Sequence, residues 1–237
     1  MTSGFLISPA TTEGGCHWWR RRPIARPARE PLRFADLFDG SSAVLIHPDR
    51  STLLVIDVQE RLQPFIEQGE AMLDACCWLV QVAKRLGVPV ICTEQYPRGL
   101  GATVPALREL LGDSAVVEKI YFSAVAECGA AAGRPDLPES GGGFLAAPGG
   151  ERRQFVVVGS ESHVCVQQTV LDLLALGREV FVVEEAVGSR RASDKALALD
   201  RMRRHGADIV SREMVAFEWL QRAGTETFRA VSREFIR

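Results

Sequence analysis

A chain of 237 residues that is 46% apolar can bury a sizeable core as one large α/β domain. Its formal net charge of −2 speaks against nucleic-acid binding and membrane adhesion, and no apolar run approaches the ~20 residues of a membrane-spanning helix. Six cysteines without CxxC or disulfide-like spacing fit free thiols in a reducing, intracellular compartment, and four scattered histidines without HExxH or Asp-x-His argue against a protein-built metal site.

Residues 1–48 stand apart from the rest. Arg20, Arg21, Arg22, Arg26 and Arg29 are interspersed with prolines, without a hydrophobic period, and Glu13 is the single acid in the first 29 residues. This composition fits a disordered basic extension of a cytoplasmic protein, or alternatively a mitochondrial or other organellar presequence. No apolar segment follows the arginines, which argues against a secretory signal. The remaining residues, 49–237, form the expected domain.

From Ser51 the pattern alternates. A strand over 53–56 ends at Asp57, a helix over 71–86 is closed by Gly87, and a second strand covers 88–92. A short helix at 105–111, a third strand at 115–117 and a helix at 124–132 follow. The Gly- and Pro-rich stretch 133–150 reads as a surface loop. A fourth strand at 155–159 leads into Ser160-Glu161-Ser162-His163-Val164-Cys165 and a helix over 166–176. A fifth strand at 179–183, a helix at 191–205, a sixth strand at 207–210 and helices at 212–222 and 225–235 complete the chain. Alternating strands and helices, with strands apolar throughout, predict a three-layer α/β/α sandwich around a six-stranded parallel Rossmann-like sheet. Ligands of such sheets bind beyond the carboxyl ends of the strands, where Asp57, Lys119 and Cys165 all fall.

Cys165 lies where a strand turns into a helix. The helix N-terminus there favours a thiolate, so the residue is a candidate nucleophile. Asp57 ends an apolar strand and needs a partner if ionised; Lys119 would hold it charged and also favour the thiolate. Against this stands the plainer view that Asp57 and Lys119 are solvated strand-end charges and Cys165 a small core residue. Spacing and composition leave both open. His163 is read as a turn residue, because positions two apart on a helix do not face each other. Arg201, Arg203 and Arg204 read as a solvated helix face.

Leu54-Val55-Ile56-Asp57-Val58-Gln59-Glu60 resembles the first-strand motif of the isochorismatase-like cysteine hydrolase superfamily, and Gly159 through Val166 its nucleophile turn. Thr93-Glu94-Gln95-Tyr96-Pro97-Arg98-Gly99-Leu100-Gly101 resembles the branch of isochorismatase domain-containing proteins. So do Gly188-Ser189-Arg190, Asp194, Ala198-Leu199, Arg201-Met202, Gly206-Ala207 and Ser211. The similarity runs over 51–214. It implies a catalytic triad of Asp57, Lys119 and Cys165, an oxyanion hole from the backbone N–H groups of Glu161 and Cys165, and a cis peptide between Ser160 and Glu161. Gln59, Glu94, Tyr96 and Tyr121 are pocket candidates. Glu161 departs from the small or hydroxylic residue of many amidase members and would exclude acidic substrates. Glu94-Gln95-Tyr96 replaces the metal-binding pattern of the nicotinamidase branch, so no metal or other cofactor is expected. Cys165 favours cofactor-free hydrolysis of a small amide or related carbonyl substrate through an acyl-enzyme, in a homodimer or homotetramer. The alternatives on the same fold are a catalytically silent scaffold and a redox-responsive thiol protein.

Overall fold

Six short runs become strands, the central ones buried on both faces and the two edge ones partly exposed. They are β1 (Ser51–Ile56), β2 (Val90–Gln95), β3 (Ala115–Lys119), β4 (Gln154–Ser160), β5 (Glu179–Gly188) and β6 (Asp208–Val210). The structure is a computed structural model and describes residues 1, 45–128 and 143–236, all but the first of which belong to the unit Ala43–Arg237. The helices are α1 (Gly69–Arg85), α2 (Pro97–Leu100), α3 (Pro105–Leu111), α4 (Ala124–Glu127), α5 (Gln167–Ala175), α6 (Ala192–Arg204), α7 (Arg212–Leu220) and α8 (Glu226–Phe235).

The strands are all parallel, in the order β3-β2-β1-β4-β5-β6. Successive side chains of a strand point to opposite faces, and β1 divides accordingly. Leu53 and Val55 join a core with Leu79 and Val82 of α1, Leu107 of α3, Trp219 of α7 and Val231 of α8. Leu54 and Ile56 join a second core with Val170 and Leu173 of α5 and Met202 of α6. The sandwich is therefore three-layered, as expected. From β1 the chain winds one way through α1 to β2, and from β4 the other way through α5 to β5. Strand order thus reverses between β1 and β4, which puts the ligand crevice beyond their carboxyl ends. Among the described residues no helix is long and apolar enough to cross a membrane.

Several boundaries differ from the sequence reading. β2 lies further along the chain because Glu94 and Gln95, though polar, are buried with partners. β5 runs on to Gly188 through Glu184 and Glu185. Of the expected loop at 133–150, residues 133–142 lie outside the described residues. The remainder carries a 3₁₀ turn, Phe144–Ala146, that buries Phe144 edge-on to Phe155 at 5.8 Å. Likewise 129–132 of the expected helix and 2–44 of the expected extension lie outside the described residues.

At Gly159 β1 and β4 come too close for a side chain. Its φ is +128°, and an added Cβ would overlap the carbonyl oxygen of Ile56 and lie 2.6 Å from its nitrogen. Gly159→Ala is expected to lower stability by about 3 kcal/mol or more, read as a fall in the urea midpoint.

Burial also makes the fold sensitive to alkali. It pushes the Cys76 thiol up, and it pushes Cys92 up to about 12. The folded state thus keeps protons that the unfolded chain releases above about pH 8.5. Stability is full below that pH and falls as pH rises above it, by up to about 1.4 kcal/mol per pH unit for each such thiol. Urea midpoints measured at about pH 8 and pH 10 should show the drop.

Candidate active site

Asp57 follows β1 in the left-handed region, with φ of +51°. Few non-glycine residues adopt it, and they do so mostly where surroundings enforce it. Here the enforcement is visible. The Asp57 N–H donates to the Thr93 carbonyl at 3.1 Å, and the Thr93 hydroxyl donates to Asp57 Oδ1 at 2.7 Å. The carboxylate is fully buried and faces Lys119, whose Nζ lies 2.7 Å from Oδ2.

Lys119 ends β3, two strands away from β1, and its side chain reaches past the end of β2. Nζ donates to Gln95 Oε1 at 2.6 Å and to the carbonyls of Tyr121 and Phe122 at 3.2 and 3.0 Å. An ammonium with 2% residue exposure would be costly without such partners. Asp57 and Lys119 are therefore a buried ion pair rather than solvated strand ends.

Cys165 lies in a π-helical turn, Ser162–Val166, that connects β4 to α5. Such turns gather at functional sites. The turn starts from Glu161, itself left-handed at φ +59°. The Glu161 carbonyl accepts the N–H groups of Val164 and Val166 at 2.9 and 3.3 Å and passes over that of Cys165 between them. The Cys165 carbonyl accepts the Thr169 hydroxyl at 2.7 Å. The expected cis peptide is a correction: Ser160–Glu161 is trans, and the left-handed Glu161 makes the bend instead.

The expected thiolate is a second correction. Burial pushes the Cys165 thiol up, the Asp57 charge pushes it further, and Lys119 only partly opposes them. Glu161 adds a smaller push. The neutral thiol is therefore favoured over the thiolate. The dipole of one helical turn does not offset desolvation and a nearby carboxylate.

A cavity of about 590 Å³ opens onto Cys165. Arg61, Leu62, Phe65, Gln95 and Leu100 form part of its wall, with Phe122, Val164 and the pair Glu161–Arg190 completing it. Arg190 Nε lies 3.1 Å from Glu161 Oε1. A second cavity, of about 610 Å³ between α1, β5 and α6, contains none of Asp57, Lys119 and Cys165.

The four pocket candidates lie elsewhere than on the wall beside Cys165. Gln59 is a clamp, donating to the carbonyls of Gln95 and Gly101 and accepting the Gln95 N–H. Glu94 accepts the Thr103 N–H and hydroxyl at 2.8 and 2.7 Å. Tyr96 and Tyr121 are partly exposed, and the Tyr121 carbonyl, not its ring, meets Lys119. His163 turns to the Ser189 hydroxyl at 3.1 Å and not to Cys165. Thr93 and Gln95, which hydrogen-bond Asp57 and Lys119, lie within the Thr93–Gly101 stretch noted above, at the end of β2. Phe65 and Phe122 come from irregular segments that carry no periodic signal.

Residues 51–214 match the Isochorismatase domain family. Isochorismatase domain-containing protein 1 of Salmo salar is 39% identical over 171 residues, 72% of this chain and 56% of that protein. The chain thus spans little more than half the length of that relative. The secreted isochorismatase effector Isc1 of Phytophthora sojae is 34% identical over 189 residues, 78% of this chain and 84% of that protein. Among solved structures, the MAR1 ribonuclease from Caenorhabditis elegans superposes with a TM-score of 0.69 at 31% identity, covering 81% of this chain and 93% of that one. YcaC of Escherichia coli, an octameric hydrolase of unknown specificity, shares the fold at a TM-score of 0.69 and 22% identity, covering 82% of this chain and 92% of that one. With a family match across the whole sheet and relatives above 30% identity over most of its length, the chain belongs to the isochorismatase family.

Proposed function

We propose that the protein is a cysteine hydrolase that cleaves a small amide or related carbonyl substrate through a covalent acyl-enzyme. The observation that carries this reading is a cysteine that opens onto a cavity beside a buried ion pair: Cys165 lines the cavity, and Asp57, the charge that acts most strongly on its thiol, is paired with Lys119 at 2.7 Å. A carboxylate near the thiol, kept ionised by a lysine, is suited to act as general base.

Asp57 takes the thiol proton as Cys165 Sγ bonds to the carbonyl carbon. The carbonyl electrons move to oxygen, where the N–H groups of Glu161 and Cys165 receive the charge; donors of this kind contribute about 3–4 kcal/mol each. Collapse of the adduct breaks the C–N bond, and the proton on Asp57 passes to the leaving nitrogen. Asp57 then takes a proton from water, whose oxygen attacks the thioester. The carboxylic acid departs as Asp57 returns the proton to Sγ. Lys119 keeps Asp57 ionised and oriented throughout, and no cofactor enters. A redox-responsive role needs an exposed, low-pKa thiolate, whereas Cys165 is buried and its thiol pushed up. A homodimer or homotetramer belongs to the same proposal; a monomer by light scattering would remove that part.

The reading is tested by ammonia release from a panel of small primary carboxamides. Wild type is expected to turn over at least one of them, and Cys165→Ala to lose about 10⁴-fold or more of that rate with an unchanged circular dichroism spectrum. Equal rates in the two proteins would take the cysteine out of the reaction.

A further inference from the structure

Arg61, Gln95, Glu161 and Arg190, the polar side chains on the wall of the catalytic cavity beside Cys165, each have at least one partner within the protein. Glu161 is only 6% exposed and its Oε1 is paired with Arg190. Arg61 Nη1 donates to the Gly99 carbonyl at 2.7 Å. Gln95 accepts from Lys119 through Oε1 and donates to the Ile120 carbonyl at 2.7 Å through Nε2. The rest of the wall is apolar: Leu62, Phe65, Leu100, Phe122 and Val164. Phe65 and Phe122 are 69% and 53% exposed, which leaves apolar surface in water beside the nucleophile. Removing such surface from water is the driving force available there. A volume of about 590 Å³ lies within the size range of small-molecule sites, about 300–1,000 Å³.

We infer that the substrate is an uncharged amide whose acyl group is apolar, an alkyl or aryl chain lying against Phe65 and Phe122. This rests on the hydrolase reading and specifies its substrate class. A charged acyl group of either sign is disfavoured. It would have to give up hydration against a wall that is mainly apolar. Phe122 becomes a specificity-determining residue, with no part in the bond changes.

The test uses p-nitrophenyl acetate, butyrate and hexanoate, with the adipoyl (anionic) and ω-trimethylammoniohexanoyl (cationic) esters as charged counterparts. Acylation of Cys165 is followed by p-nitrophenol release and peptide mass. The second-order rate is expected to rise up to about fourfold per added methylene, and both charged esters to fall below hexanoate. Phe122→Ala is expected to flatten that slope, and Phe122→Leu to restore most of it. A slope near zero, or a charged ester faster than hexanoate, with Cys165 still labelled, would overturn the inference and leave the nucleophile standing. No labelling of Cys165 by any ester would overturn the hydrolase reading and the inference together.

Discussion

Asp57→Asn is expected to lower turnover by about 10²–10⁴-fold while making Cys165 easier to alkylate at neutral pH. The two effects run in opposite directions because Asp57 has two influences on the same sulfur. As a base it removes the thiol proton during attack. At rest its charge holds the proton on. Asparagine abolishes the first role and the charge of the second, and leaves Lys119 to favour the thiolate with less opposition. In wild type, the rate of iodoacetamide labelling at Cys165 should climb only above the ordinary thiol range of about 8.5. In the variant that climb should move to lower pH. Unchanged labelling, with activity lost, would mean that the carboxylate does not touch the thiol.

Lys119→Met carries the largest expected cost in stability. Methionine is close to lysine in length, but it strands the fully buried Asp57 carboxylate that Lys119 meets at 2.7 Å. Breaking a buried pair by removing one partner costs about 3–5 kcal/mol, a fall in Tm on the order of 10 °C for a domain of this size. The cost comes from the orphaned charge, so it should shrink when Asp57→Asn is already present. A double-mutant cycle by urea unfolding measures that coupling. Additive costs would mean that the pair is not the source of the loss. Activity should fall too, because Lys119 is the one group that lowers the Cys165 thiol.

That Asp57, Lys119 and Cys165 lie toward one edge of the sheet was legible because a parallel sheet gathers the carboxyl ends of its strands. Asp57, Lys119 and Cys165 each follow an apolar run, so the topology alone brings them to one edge. Family motifs then chose among residues that composition left open. The protonation of Cys165 was not legible. It depends on burial and on the distance to Asp57, and neither is written in the strand-to-helix turn that pointed to a thiolate. The end of β2 was missed for a related reason. Glu94 and Gln95 look like surface residues until Thr103 and Gln59, distant in sequence or on another element, supply their hydrogen bonds. Phe65 and Phe122 were missed because a 3₁₀ turn and a post-strand bend have no period to read.

The most direct test is to quench the protein in acid during reaction with p-nitrophenyl acetate and locate the acetyl group by peptide mass spectrometry. The account predicts one acetyl group, on Cys165, absent from Cys165→Ala and slow to accumulate in Asp57→Asn. An acetyl group found only on other cysteines or on lysines, with Cys165 unmodified in the folded protein, would contradict it.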